Sequence, residues 1–190
     1  GLKIIRRILN LACGEWVDEF GLTWLASVPK IKLLPDTNKR KPYPLSWEEQ
    51  ERLFKTLPPH LANMSLFAVN TGCRDSEICS LHWQWEVQVP EIDTTVFIVP
   101  GKFVKNGDDR LVVLNNVAKS VVESVRGTHC SHVFTYRGNP VKRMLNSAWL
   151  RARKETGLEQ VRVHDLKHTF GRRLRAAGVS FEDRQDLLGH

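Results

Sequence analysis

Hydrophobic and polar residues alternate along this chain with two different periods, and the change of period divides it. At the N-terminus Ile4, Ile5, Ile8, Leu9 and Ala12 recur at helical spacing, with Trp16 following and Gly21 as the expected stop. Ser46 and Glu49 form a capping box for a helix through Leu53, Phe54 and Leu57, which Pro58-Pro59 ends. The continuous apolar run 61–69 predicts a buried helix ending at Thr71-Gly72. From 86 to 114 the period becomes that of strands. Three segments rich in Val, Ile, Phe and Thr, at 86–89, 95–99 and 110–114, are separated by turn residues, and Asn106-Gly107 marks a hairpin tip. Helical spacing then returns. Asn116 is expected to cap a helix through Val117, Val121, Val122 and Val125 as far as Gly127, and 133–135 is a short extended piece. Asn139-Pro140 predicts the start of a long helix with Leu145, Ala148, Trp149 and Ala152 inward.

The last stretch reads as two helices. Leu166, Phe170, Leu174 and Ala177 make one apolar stripe over about 164–177, and Gly178 supplies a left-handed stop. Ser180 with Asp183 then begins a helix that Gly189 ends. Beside the stripe His164, Lys167, His168 and Arg175 form a row of cations and proton donors near a helix start, a setting suited to an anion.

Charge sharpens this picture. The net charge is +7, and residues 141–175 alone hold ten Lys/Arg against three Asp/Glu, so the imbalance lies around that row. A polyanion such as DNA or RNA is the expected partner, although an acidic protein or a membrane surface would fit the charge alone. With 42% hydrophobic residues and no apolar run of membrane-spanning length, the composition is that of a soluble globular protein, and no signal peptide is visible. Cys13, Cys73, Cys79 and Cys130 lack C-x-x-C spacing, so buried, reduced thiols in a cytoplasmic protein are expected. His129-Cys130-Ser131-His132 is dense in metal donors but too short to close a site alone, and no metal or other cofactor is expected.

Thr71-Gly72-Cys73-Arg74-Asp75-Ser76-Glu77-Ile78 is the second informative stretch. Gly72 permits a tight turn that holds Arg74 at the mouth of a helix capped by Asp75 or Ser76, and Glu77 can support the guanidinium. Taken singly, a structural Arg–Glu pair, an exposed turn lysine at Lys105 and a basic surface helix are adequate explanations. Taken together and in this order, TGCRDSE followed by Leu81-His82-Trp83, the Lys105-Asn106-Gly107 hairpin, and HDLKHTF followed by LLGH resemble the boxes of the tyrosine recombinases, the phage-integrase family. The match spans 71–190, with Lys167 where the family usually has arginine.

The resemblance implies an α+β, mainly helical fold with a small three-stranded antiparallel sheet, the DNA breaking-rejoining fold. It implies metal-independent cleavage and rejoining of duplex DNA through a 3′-phosphotyrosine. Arg74 and Lys167 would clamp the phosphate, His164 and His190 would donate hydrogen bonds and exchange protons, and Lys105, rather than Lys102, would protonate the leaving 5′-oxygen. Glu77 would orient Arg74 or the histidines, and His168 would support the helix. Phosphate-backbone contacts are expected from Lys39, Arg40, Lys41, Lys142, Arg143, Arg151 and Lys154, and from Arg172, Arg173 and Arg175, any of which could compensate for Lys167.

The expected organisation is the end of an upstream core-binding domain at 1–26, a basic Pro-containing linker at 27–45 and the catalytic domain at 46–190. The linker triplet 39–41 is as readily a solvated loop as a phosphate contact. The family's nucleophilic tyrosine belongs a few helical turns beyond the final histidine, and the only tyrosines here are Tyr43 and Tyr136. This chain is therefore expected to bind DNA attachment sites without cutting. The full-length protein is expected to act as a DNA-assembled homotetramer, whereas this chain could be a monomer. Another class of function fits less of the sequence: a noncatalytic helix-turn-helix DNA-binding protein using 164–177 and 181–188, which leaves Arg74, Glu77 and Lys105 unexplained. A metal-dependent nuclease lacks a carboxylate cluster.

Overall fold

The computed structural model describes residues 1–32, 40–92 and 94–189, in two compact units, Gly1–Lys41 and Pro42–His190. The first unit holds helix α1 (Leu2–Gly14) and an antiparallel bridge between Val17 and Thr23. Its helix stops at Gly14, before the expected Gly21. Gly21 instead turns the chain between the bridge partners, where the Asp18 carboxylate accepts the N–H groups of Phe20 and Leu22, each at 2.9 Å.

In the second unit α2 (Trp47–Thr56) begins with the expected reciprocal cap. The Glu49 N–H donates to Ser46 Oγ at 3.1 Å and the Ser46 N–H to Glu49 Oε2 at 2.9 Å. Helix α3 (Pro59–Thr71) is apolar on nearly every side and lies at the centre, with Leu61, Met64 and Phe67 wholly buried. It packs against α5 (Asn116–Ser124) and α7 (Val163–Ala176). The short α4 (Asp75–Cys79) follows Gly72. Strands β1 (Glu86–Val89), β2 (Thr94–Val99) and β3 (Arg110–Val113) form the expected antiparallel sheet in the order β1-β2-β3. Phe97 faces Val112 across it, and Val99 faces Arg110. The cap of α5 is Asn115, one residue before the expected Asn116; its Oδ1 accepts the Ala118 N–H at 2.9 Å.

The long helix expected from Pro140 does not form. Thr135–Tyr136 (β4) and Asn139–Pro140 (β5) pair as a hairpin instead. Its two turn residues, Arg137 and Gly138, both have positive φ (50° and 74°), the geometry a two-residue hairpin demands. Helix α6 (Ser147–Glu155) starts only at Asn146, whose side chain accepts the Trp149 N–H at 3.1 Å. Leu145 thus precedes the helix and is exposed, whereas Trp149 and Ala152 are buried as expected.

Helix α7 starts one residue before the expected His164, with the Arg162 N–H donating to Asp165 Oδ2 at 2.9 Å. Asp165 also accepts the Tyr43 N–H (3.1 Å), and Thr169 Oγ1 accepts the Leu45 N–H (3.0 Å), which fastens the chain before α2 to α7. Gly178 ends the segment at φ +78°, and Ser180 caps α8 (Phe181–Leu188) through the Asp183 N–H. The apolar stripe of α7 fades along its length: Leu166 is buried, Leu174 only half-buried and Ala177 exposed. No helix among the described residues is long and apolar enough to cross a membrane.

Gly72 is where α3 gives way to the candidate site. Its φ is +65°, and a Cβ there would lie 2.5 Å from Phe170 Cδ1 of α7. Gly72→Ala is expected to destabilise the unit by about 2 kcal/mol or more, from left-handed backbone strain and overpacking together. A thermal melt lowered by several degrees would register it, and an unchanged melt would refute the packing described.

Candidate active site

The turn at Gly72 delivers Arg74 to the mouth of α4. Arg74, rather than Asp75 or Ser76, occupies the cap position; its N–H donates to Glu77 Oε2 at 2.8 Å and its Nη1 to Glu77 Oε1 at 2.7 Å. Asp75 serves elsewhere, accepting the Met144 N–H at 2.8 Å. Glu77 is completely buried, and its second side is held by Nη1 of Arg110 at the start of β3. One carboxylate thus lies between two guanidinium groups, and of the two only Arg74 has a partly exposed side chain, 17% against 2% for Arg110.

Lys167 enters from the first turns of α7. It is 4% exposed, and its Nζ donates to the Leu188 carbonyl. Burial pushes its pKa down to about 8, helped by the nearby cations of Arg110 and Arg74. His164 and His168, one helical turn apart, meet edge to face with ring centroids 4.7 Å apart. Desolvation is the main cause that lowers the pKa of both, and neighbouring cations lower it further while Asp165 opposes them, which favours the neutral imidazoles.

Arg74, Lys105, His164, Lys167 and His168 line one open cleft of about 690 Å³. Arg172 and Arg175 of α7, Arg184 and Gln185 of α8, and the apolar Pro44, Phe181 and Leu188 complete it. Lys105 reaches the cleft from the β2–β3 hairpin, whose base is closed by the Gly101 N–H donating to Asp109 Oδ1 at 2.8 Å. Lys102 sits over the Phe103 ring, 5.2 Å from its centroid, and does not line the cleft. The arrangement suits a phosphodiester. Its developing negative charge would meet fixed cations with neutral imidazoles beside them to donate or accept a proton. A smaller cavity of about 360 Å³ beside the sheet offers less, because its Arg126 is held by Glu86 and Glu123 at 2.7 and 2.8 Å.

The remaining expected residues are dispersed. Lys39 and His190 lie outside the described residues. Arg40, Lys41, Arg151 and Lys154 are exposed. Lys142 and Arg143 are exposed in the loop before α6 and line a separate cavity with His60 and Tyr136. Arg173 departs from the expectation of a phosphate contact: its guanidinium stacks 3.5 Å over the Trp47 ring and is partly buried there, so it joins α7 to α2. His168, expected only to support its helix, lines the cleft beside His164. The His129–His132 segment is a turn in which His129 Nδ1 accepts the Ser131 and His132 N–H groups, at 3.1 and 3.0 Å. Arg110 and the α8 residues Phe181, Arg184 and Gln185 were not anticipated. For Arg110 one signal existed: it alternates in phase with the buried Val112 on β3.

Residues 45–190 match the model of the phage integrase family, and the chain belongs to that family. It is 32% identical over 201 residues to the integrase of Salmonella phage P22, covering 99% of this chain and 49% of that protein. It is 28% identical over 175 residues to the tyrosine recombinase XerC of Erythrobacter litoralis (strain HTCC2594), covering 83% of this chain and 55% of that one. The chain thus spans about half the length of the curated relatives it matches. Among solved structures, a lambda integrase dimer bound to a COC′ core site superposes with a TM-score of 0.65 at 20% identity, covering 99% of this chain and 55% of that one. The Tn1549 transposon integrase in complex with circular intermediate DNA gives 0.62 at 18% identity, over 82% of this chain and 59% of that one. These likenesses establish the fold as that of the tyrosine recombinase catalytic domain, mainly helical with one small antiparallel sheet.

Proposed function

We propose that this chain carries the phosphate-activating half of a site-specific DNA recombinase. The observation that carries the reading is the convergence of Arg74, Lys105, His164 and Lys167, from three different parts of the chain, on one cleft. Arg74 and Lys167 bind the nonbridging oxygens of the scissile phosphate, and Lys105 protonates the 5′-oxygen as it leaves. His164 exchanges protons at the phosphate, and Glu77 aims Arg74. His190, assigned a similar role by the resemblance, follows Gly189 directly. Arg172 and Arg175, at the cleft, and the exposed Arg40, Lys41, Lys142, Arg143, Arg151 and Lys154 bind flanking phosphates without reading sequence. The partner is duplex DNA, a reading supported by the Tn1549 transposon integrase, whose solved structure holds circular intermediate DNA, and the recombinase works as a homotetramer assembled on it.

In this reading neither tyrosine of this chain is the nucleophile. The Tyr43 hydroxyl donates to Glu49 Oε1 at 2.6 Å, Tyr136 stacks on His60 with centroids 4.2 Å apart, and neither lines the cleft. The chain therefore binds duplex DNA without forming a covalent adduct. Fluorescence anisotropy with a short labelled duplex at low salt tests the binding. Arg74→Ala should weaken it by roughly tenfold or more, the value of a charge-assisted phosphate contact. Unchanged affinity in a folded Arg74→Ala protein would remove the phosphate-pocket reading. A covalent adduct with nicked duplex in a denaturing gel would show that one of the two tyrosines is a nucleophile after all.

A further inference from the structure

Three cations from three different elements donate to three consecutive carbonyls at the C-terminal end of α8. Arg110 Nη2 reaches the Leu187 oxygen at 3.1 Å, Lys167 Nζ the Leu188 oxygen, and Arg74 Nη2 the Gly189 oxygen at 3.4 Å. These are the orphan carbonyls of a helix terminus, where cations are favoured. Arg74 and Lys167 line the cleft, but Arg110 is 3% exposed and does not. The same guanidinium also holds the first box: Nη1 donates to the Glu77 carboxylate, and Nη2 also to the Thr71 and Gly72 carbonyls at 3.3 and 3.1 Å.

We infer that Arg110 is a positioning residue: it locks the turn that presents Arg74 to the end of α8, so that both halves of the phosphate cleft keep one fixed geometry. The inference rests on the phosphate-pocket reading above.

Only a planar fork serves this purpose. Its two terminal nitrogens reach a carboxylate on one side and carbonyls from two chain segments on the other, whereas an ammonium is a single point donor. Arg110 also balances Glu77. With two guanidinium groups on one carboxylate, a positive charge is left over, and Arg74 is the member with access to the cleft. Gly189 fits tightly against the same side chain: a Cβ there would lie 2.8 Å from Arg110 Cδ and 2.9 Å from its Nε, at a φ of +65°.

A residue acting through Arg74 predicts non-additivity, which a general contribution to stability does not. In the full 190-residue chain, Arg110→Lys keeps the charge and loses the fork. It should weaken binding of a fluorescein-labelled mixed-sequence duplex by about tenfold, yet cost less than about threefold when Arg74 is already alanine. Circular dichroism establishes that each protein is folded. Equal losses in both backgrounds, or no loss in a folded Arg110→Lys protein, overturn the inference. Should Arg110→Lys fail to fold, Gly189→Ala displaces the same side chain from the other side and is judged by the same cycle. Arg74→Ala with parental affinity would instead sink the pocket reading itself, whereas a loss there with none in Arg110→Lys sinks only the role given to Arg110.

Discussion

Replacing Glu77 with alanine is expected to cost about 3–5 kcal/mol of folding stability, the penalty for leaving a buried ion pair without one partner. The residue exposed to that penalty is Arg110. Its side chain is 2% exposed, and after the substitution it would retain its three carbonyl acceptors but no counter-charge. Arg74, being partly exposed, can turn to water, so it adds little to the loss. The double variant Glu77→Leu with Arg110→Met tests this assignment, because an apolar pair of similar bulk removes both charges at once and should recover most of the stability. It should not recover DNA binding, since Arg74 then loses the carboxylate that aims it and keeps only its long contact to the Gly189 carbonyl. Urea denaturation measures the first effect and duplex anisotropy the second. A loss below about 1 kcal/mol for Glu77→Ala would mean that solvent reaches Arg110.

The features the sequence made legible are local ones. Ser46 with Glu49, and Ser180 with Asp183, are caps written within four residues, and both form as expected. The Asn-Gly tip between β2 and β3 and the left-handed Gly72 and Gly178 are likewise decided by a turn's own backbone demands. Pro140 shows where local reading fails. Asn-Pro is a good helix start, but Arg137-Gly138 accepts the paired positive φ of a hairpin, and Asn146 offers a cap closer to the buried Trp149. The site divides in the same way. Arg74, Lys105, His164 and Lys167 were visible because each sits in a recognisable local box, whereas Arg110 is defined by partners far away in sequence, Glu77 and Leu187. Arg173 looked like one more exposed cation of α7; its partner, Trp47, comes from α2. Long-range pairing of this kind leaves no spacing to read.

Lysine in place of the family's usual arginine should give this protein a pH limit that an arginine-bearing relative would lack. Lys167 titrates at about 8, depressed by burial and by Arg110 and Arg74, so it is charged at pH 7 and increasingly neutral above 8. Only the charged form attracts phosphate. Duplex affinity should therefore decline from about pH 8 upward, by up to about tenfold per pH unit for a single essential proton. The decline ends where lysine in the complex titrates, which the phosphate charge moves higher. Folding should respond with the opposite sign. Between about 8 and the ordinary lysine value of 10.5, the unfolded chain holds the Lys167 proton that the native protein has lost, so this residue's contribution makes the fold more stable as pH rises. Falling affinity together with undiminished resistance to urea over pH 8–10 would thus separate titration of Lys167 from alkaline unfolding. Lys167→Arg, which stays protonated throughout, should remove the alkaline decline and bind the phosphate through two donors instead of one. A Lys167→Arg protein whose affinity falls along the same alkaline curve as the parent would assign the limit to another group. It would also end the idea that this substitution tunes the site.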